Sequence, residues 1–556
     1  MVRGFRTQAI IAAVGIILCL LLVLTALPTG QERPAVGGTM IEGVTLPAGG
    51  VARLNLNPLF AREDAERDVG SLLFSGLTRR DGDGRLVADL ATNWQASSDG
   101  TRYRFNLRRE VTWHDGAPFT AADVLSTVAL LKDPAFAGDA TLAAPWQQVT
   151  AQAVDSATVE FSLPQAYAPF LGLTTLAILP AHLLASNPAA LNQQPIGTGP
   201  YRLVSADGTP GPGPAAITLE RYGRYHLANV GPASLPYYIQ RLVFRFYPTT
   251  ATLLTAYQQG EIDAISYVAP EAVAQLARQP GLTVQSKELG RTTFIFLNLR
   301  EAIFRQKEVR QALLYALDRP QLVADALYGQ GVVSSSPLLP SSGVYSNDLL
   351  AYAHDPAKAA SLLDAAGWRL TADGTRRNPA GQPLSFTLLA NADNPYFARM
   401  AGLIVRDLGA IGVPVTVTLL SRNQLIEEHL QARNFDAVLL GWQSLPYEPD
   451  PYSLWHSTQA DDPQGINFAG WQNDQADRDM ENGRQSSDPL KRAAYYADFQ
   501  RIFADELPSL PLYYPLYCYA TSSRVAGVIL PAMYESSDRF RTLGGWYVKT
   551  DVVTTK

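Results

Sequence analysis

The sequence predicts a fold of the mixed α/β class. Segments typical of strands and segments typical of helices alternate to the end of the chain, and no internal repeat interrupts them. The chain has 556 residues, of which 47% are hydrophobic and 17% are charged. This length and composition predict a globular protein with several structural units rather than a disordered chain.

The charge distribution and the cysteines exclude two classes of protein. The net charge is -6, from 45 basic and 51 acidic residues without a long block of either sign, so we expect no nucleic acid partner. The two cysteines, Cys19 and Cys518, lie far apart in the sequence, so we expect no disulfide framework.

The first thirty residues have the pattern of a membrane-targeting segment. Arg3 and Arg6 precede an apolar run over residues 9–27, which is close to the ~20 residues that span a bilayer as a helix. We interpret residues 1–30 as an uncleaved anchor, with a cleaved signal peptide as the alternative, and expect the rest of the chain outside the cytoplasm. Lipidation at Cys19 is disfavoured because Leu18, rather than a small residue, stands directly before it. Residues 31–49, rich in Gly and Pro, are predicted to form a tether.

Helix starts are marked by capping residues. Thr120 is a predicted N-cap, with Asp123 three residues later in the manner of a capping box. Asp355 and Asp488 each precede a proline, which predicts an Asp cap with Pro in the first helical turn.

Three apolar, β-favouring runs, at residues 294–299, 413–419 and 435–442, are predicted strands. Residues 397–442 follow the order helix, strand, helix, strand, which is typical of a parallel sheet. Ligand clefts in such sheets lie beyond the carboxyl ends of the strands. The turn at residues 441–451 is therefore the expected edge of a ligand cleft.

Ten segments in order resemble the family 5 extracellular solute-binding proteins of ATP-driven importers, the group with oligopeptide-, dipeptide- and nickel-binding members. The segments are residues 72–78, 88–94, 103–108, 113–124, 195–201, 293–298, 309–319, 355–368, 435–442 and 507–513. The resemblance implies a two-lobed, type II binding-protein fold with the extra subdomain of the peptide-binding group. Lobe 1 would comprise residues 50–290 and 511–556, with the subdomain at about 70–190, and lobe 2 residues 291–510.

The same resemblance implies a monomer that encloses a peptide-like small molecule and delivers it to the permease subunits of an ABC importer. In this family an aspartate that follows the Gly-Trp pair commonly meets the ligand's amino group, but here that position holds Leu445. Either Glu448 or Asp450 replaces it, or the ligand has no free amino terminus.

Aromatic side chains complete the predicted ligand site. Trp442 and Tyr447 are the preferred ring contacts, and Trp455 and Asn467 are further candidates. Alternatively, Trp442 closes the core beneath the turn.

The sequence favours binding over catalysis. Its six histidines have no metal-ligand spacing, and the adjacent His114 and Asp115 lie in a turn where their side chains are not expected to converge. We therefore expect no catalytic residues, no metal and no cofactor. A ligand sensor for a membrane partner, or a binding protein for a metal chelate or oligosaccharide, is the alternative, and a degradative enzyme is disfavoured.

Overall fold

The computed structural model describes residues 31–45, 54–186, 191–207, 215–228, 235–443 and 449–553. The membrane-anchor prediction rests on residues 1–30 and lies outside these ranges. Within them, no helix is both long enough and apolar enough to cross a bilayer.

Twenty-two strands form within the described ranges. The strands before residue 290 are β1 Gln31–Pro34, β2 Gly37–Thr45, β3 Thr78–Arg80, β4 Leu86–Ala88, β5 Ala91–Ala96, β6 Arg102–Leu107, β7 Thr150–Asp155, β8 Thr158–Ser162, β9 Tyr201–Asp207, β10 Ala216–Arg221, β11 Ile239–Tyr247, β12 Ala264–Ile265 and β13 Leu282–Glu288. The later strands are β14 Arg291–Leu297, β15 Gly331–Val333, β16 Arg369–Leu370, β17 Arg376–Arg377, β18 Phe386–Asn391, β19 Val415–Leu420, β20 Ala437–Gln443, β21 Ser509–Ser522 and β22 Thr550–Val553.

Helices cover these sheets. The α-helices are Asp64–Leu73, Ala121–Lys132, Ala140–Ala143, Phe170–Leu173, Ala181–Ser186, Thr250–Gln258, Pro270–Leu276, Lys307–Ala316, Arg319–Leu327, Pro356–Ala365, Pro395–Ala410, Arg422–Gln424, Tyr452–Trp455, Asp474–Gln485 and Pro489–Glu506. A π-helix spans Leu425–Leu430, and the 3-10 helices are Pro58–Phe60, Ala144–Trp146, Ala302–Phe304, Ser457–Gln459 and Ser536–Gly545.

The long strand β21 connects two hydrophobic cores. Its first part pairs with β14 and β15, and its second part pairs with β12 and β13. Tyr513 packs in a core built from β14 to β20 and their helices, whereas Tyr517 packs in the core around β2, β10 and β11. The predicted two-lobed, mixed α/β fold is confirmed. The lobe boundaries at 290/291 and 510/511 stay a prediction.

A four-stranded antiparallel sheet stands apart from the main sheet. It has the order β5-β6-β8-β7, and the helix Ala121–Lys132 packs against β7 and β8. This unit falls within the predicted extra subdomain at about 70–190.

The tether predicted over residues 31–49 is wrong for residues 31–45. β1 pairs antiparallel with β22, and β2 lies inside the main sheet between β11 and β12. Met40 and Val44 are buried, so the contacts of this Gly-rich stretch with its neighbours in the sheet decide its structure. Residues 46–49 lie outside the described ranges.

The predicted caps and the predicted parallel unit are confirmed. Thr120 and Asp123 form a capping box, while Asp355 and Asp488 accept hydrogen bonds from the first turns of their helices. β18 lies between β19 and β20 and is parallel to both. β20 ends at Gln443, so residues 441–443 of the predicted turn belong to the strand, and residues 444–448 lie outside the described ranges.

His114 and Asp115 face different partners. The His114 Nε2 lies 3.1 Å from the Gly199 carbonyl oxygen, and the Gly197 N–H donates to His114 Nδ1 at 3.2 Å. Asp115 instead lies 2.8 Å from His182 Nε2. These contacts tie the 113–118 turn to the glycine turn at 197–199.

The buried His114 predicts a loss of stability in acid. Burial lowers the pKa of His114 from 6.5 to about 4. As the pH falls below about 6.5, the unfolded chain binds a proton that the folded chain does not bind until about pH 4. Stability is complete above that window, and up to about 3 kcal/mol is lost across it. Urea unfolding of His114→Asn should show a smaller loss between these pH values, and an unchanged pH dependence would contradict the prediction.

Candidate ligand-binding cleft

A large cavity of about 2040 Å³ lies between the two lobes. Arg79, Tyr225 and Tyr237 line it on the first lobe, and Trp442 and Phe468 line it on the second. Its volume exceeds the roughly 300–1,000 Å³ of sites for drug-sized ligands. The cavity is therefore large enough for an extended ligand such as a short peptide.

Residues of β14 and of the connecting strand β21 also line this cleft. Arg291 and Thr293 of β14, and Tyr513 and Tyr517 of β21, line it. Because β21 runs from one lobe into the other, a change of the angle between the lobes would change the shape of the cleft directly.

Trp442 occupies the predicted position at the carboxyl end of β20. Its backbone pairs with Thr292, its side chain is half-buried, and its ring meets Phe468 edge-on with 5.9 Å between centroids. One edge of the ring packs on the core and the remainder borders the cleft. In this position Trp442 can contact a ligand and can also close the core beneath the strand, which are the two roles that the sequence left open.

The next predicted residues, Tyr447 and Glu448, lie outside the described residues, as does Leu445. Asp450 is described and lines the cleft. It forms an ion pair with Arg484 at 2.8 Å and accepts a hydrogen bond from Tyr167 Oη at 3.2 Å. Its charge is therefore already compensated, which makes it a weaker partner for a ligand ammonium than an unpaired carboxylate.

Two predicted ligand contacts are corrected by burial. Trp455 borders the cleft but is only 2% exposed, because its rings stack on Phe296 and pack edge-on against Phe503. Trp455 is thus a core residue beneath the cleft wall rather than a ring presented to a ligand.

Asn467 is fully buried and does not line the cleft. Its amide nitrogen donates to the carbonyl oxygens of Trp455, His456 and Trp471, and its amide oxygen accepts the Gly470 and Trp471 N–H groups. An asparagine with both amide ends bonded to the backbone shapes the loop. The prediction that it contacts ligand is wrong.

Contacts between the lobes border the cleft and were not predicted from the sequence. Tyr167 on lobe 1 reaches Asp450, and the Ala168 N–H donates to the Arg484 carbonyl at 2.7 Å. Tyr396 Oη also donates to Glu271 at 2.9 Å. The lobes thus touch directly in this structure. No local sequence signal links residues so far apart, such as Tyr167 and Asp450.

Among the carboxyl groups of the described residues that line the cleft, Glu535 has a shifted pKa. Burial, followed by repulsion from Asp538, raises the pKa of Glu535 to about 7. Arg67 lies 3.9 Å from Glu535 and also pairs with Asp64. Across the described residues, no group of three or more His, Cys, Asp and Glu side chains is arranged to hold a metal ion.

Comparison with known sequences identifies relatives over most of the chain. The profile of the family described as "Bacterial extracellular solute-binding proteins, family 5 Middle" matches residues 85–464. An oligopeptide-binding protein of Bacillus subtilis (strain 168) is 27% identical over 493 residues, which cover 85% of this chain and 87% of that protein. The nickel-binding periplasmic protein of Escherichia coli (strain K12) is 27% identical over 459 residues, covering 80% and 84%.

Solved structures share the fold. The Bacillus subtilis oligopeptide-binding protein, solved with a nonapeptide, superposes with a TM-score of 0.72 at 25% identity and covers 93% of this chain and 100% of its own. The Haemophilus parasuis protein HbpA2 superposes with a TM-score of 0.77 at 23% identity, covering 92% and 100%. The two-lobed architecture is therefore common to this chain and to these proteins.

Proposed function

The chain belongs to family 5 of the bacterial extracellular solute-binding proteins, and on that basis we propose that it encloses a peptide-like ligand between its lobes and passes it unaltered to the permease of an ABC importer. The observation that carries this proposal is the cavity of about 2040 Å³, whose lining comes from both lobes and from β21, the strand that connects them. Lobe closure around such a cavity can bury most of a ligand's surface.

The proposed ligand contacts lie at the carboxyl end of β20. Trp442 supplies a ring against which a ligand can pack, and we propose Tyr447, which follows it in the sequence, as a second ring contact. The proposal leaves the amino-group partner open between Glu448 and the absence of a free amino terminus, because Leu445 stands at the expected position and Asp450 pairs with Arg484.

Substitution of Trp442 tests the proposed contact. Trp442→Ala should weaken ligand binding at least tenfold, because it removes the ring surface that borders the cleft. The fold should be kept, because only part of the ring packs on the core. Titration calorimetry with a defined tetrapeptide pool measures the affinity, and thermal unfolding checks the fold. Trp94→Ala is a matched control, since Trp94 is half-buried on β5 and does not line the cleft. Equal affinity of the Trp442 variant and the unchanged chain would assign Trp442 to the core.

We further propose that residues 1–30 attach the chain to the outer face of the cell membrane and that it acts as a monomer. Fractionation of cells that express the chain with and without residues 1–30 tests the attachment. The full-length chain should sediment with membranes, and the shortened chain should not. Recovery of the full-length chain in the soluble fraction would contradict the proposal.

A further inference from the structure

The cleft has an excess of positive charge that the rest of the chain does not share. Among the described residues its lining contains eight arginines and five carboxylates, whereas the whole chain has a net charge of -6. A cleft with low-dielectric walls strengthens the field of such an excess. The charge of the cleft therefore favours a ligand of opposite sign.

Four of the five carboxylates already have partners. Ion pairs join Asp450 to Arg484, Asp538 to Arg541 and Glu535 to Arg67, and Asp89 lies within hydrogen-bond distance of His226 Nε2. The fifth, Asp139, accepts a hydrogen bond from the Thr141 N–H of its own helix. The acidic groups of the cleft are thus committed to interactions within the protein.

Among the arginines of the cleft, Arg79 has the clearest unused capacity to donate a hydrogen bond. It lies on β3, and its Nε is buried with no hydrogen-bond partner within the described part of the chain. None of the ion pairs found there includes Arg79. An unsatisfied buried guanidinium N–H is costly, because the group has lost its water without gaining another acceptor. Its position on the cleft wall indicates that the missing acceptor comes from the ligand.

The surroundings of Arg79 fit an acidic group. Tyr225 and Tyr237 lie beside it, and its positive charge opposes the increase that burial causes in the pKa of both hydroxyls. Both phenols are neutral at ordinary pH, so they leave the Arg79 charge uncompensated. Asp89 on the same wall is bound to His226 Nε2 at 2.6 Å.

We infer that Arg79 binds a carboxylate of the ligand and that the chain selects acidic ligands over neutral and basic ones. This inference rests on the proposed function, because it specifies the ligand of the same cleft. A guanidinium can bind a carboxylate through two parallel hydrogen bonds, which supplies direction as well as charge. The carboxylate lies on the lobe 1 wall, across the cleft from Trp442.

Three tetrapeptides of different charge test the preference. The probes are Ala-Glu-Glu-Ala, Ala-Gln-Gln-Ala and Ala-Lys-Lys-Ala, titrated against the full chain by calorimetry. The glutamate peptide should bind at least tenfold more tightly than the glutamine peptide, and the difference should shrink at high salt because the interaction is electrostatic. Equal or tighter binding of the glutamine or lysine peptide would overturn the inference.

Variants assign the preference to Arg79. Arg79→Gln should reduce the ratio of glutamate-peptide to glutamine-peptide affinity to about one, and Arg79→Lys should restore part of it because the charge returns without the two-pronged geometry. Arg85→Gln is the control, since Arg85 is exposed, pairs with Asp83 and lies outside the cleft lining. A preference that persists in Arg79→Gln would contradict the assignment.

A random tetrapeptide pool separates this inference from the proposed function. If the chain retains peptides and the retained set is not enriched in acidic residues, the inference fails and the proposed function stands. If the chain retains no peptide at all, the peptide proposal fails and the inference fails with it.

Discussion

Replacement of Arg539 by methionine should lower the free energy of unfolding by about 3–5 kcal/mol. Arg539 is fully buried and bonds to both Asp68 oxygens, at 2.8 and 2.7 Å, and to Glu42. Ser536 Oγ also donates to Asp68, and Tyr519 Oη donates to Glu42, each at 2.7 Å. Methionine fills much of the space but leaves two buried carboxylates without their cation. Urea unfolding monitored by circular dichroism measures the loss.

An exposed ion pair provides the control for this substitution. Arg104 pairs with Glu160 at 2.9 Å, and half of the Arg104 side chain is exposed. Arg104→Met should therefore cost less than about 1 kcal/mol. Addition of Asp68→Asn and Glu42→Gln to Arg539→Met should recover part of the lost stability, since both uncompensated charges are then removed. Equal effects of Arg539→Met and Arg104→Met would contradict the account of the buried cluster.

Gly197→Ala should destabilise the chain by several kcal/mol or prevent folding. A Cβ at Gly197 would lie 1.8 Å from the Leu73 carbonyl oxygen. Both atoms belong to the backbone or are attached to it directly, so the two chain segments would have to move apart to remove this clash. The same contact region includes the Gly199 N–H, which donates to the Leu73 oxygen at 2.8 Å. Expression yield and thermal unfolding measure the effect.

Gly223→Ala is the matched control, because a Cβ at Gly223 has no neighbour within 4 Å. We expect its melting temperature to stay within a few degrees of the unchanged chain. A Gly197 variant as stable as the Gly223 variant would show that the turn tolerates a side chain and that glycine is not required there.

Local signals in the sequence predicted local structure well. The caps at Thr120, Asp355 and Asp488 work as expected, since an N-cap acts on backbone N–H groups only two or three residues away. The same local reasoning failed for β2, because its composition resembles a linker and only its partners in the sheet show that it is a strand.

The sequence predicted the position of the cleft edge but not which of the candidate side chains face the cleft. The carboxyl end of β20 does border the cleft, and Trp442 lies there. Trp455 and Asn467 were misassigned because burial depends on packing against Phe296, Phe503 and the backbone of neighbouring loops, which a single sequence does not show. The assignment of Tyr447 and Glu448 stays a prediction.

Long-range polar contacts could not be predicted either, because a single sequence does not show which distant segments pack together. Arg539 lies 471 residues from Asp68, and Tyr167 lies 283 residues from Asp450. Neither pair has a spacing or motif that marks it. The sequence also could not predict that Arg79 Nε is buried without a hydrogen-bond partner, because this depends on where the fold places the surrounding acceptors.

The most direct test of solute capture is to identify the molecule that the purified chain retains. The chain is unfolded to release its ligand, the released molecule is identified by mass spectrometry, and the refolded chain is titrated with it. The account predicts an acidic, peptide-like molecule that rebinds one to one, binds more weakly to the Trp442→Ala and Arg79→Gln variants, and is recovered chemically unaltered. Conversion of the molecule by the chain, or equal binding by both variants, would contradict the account.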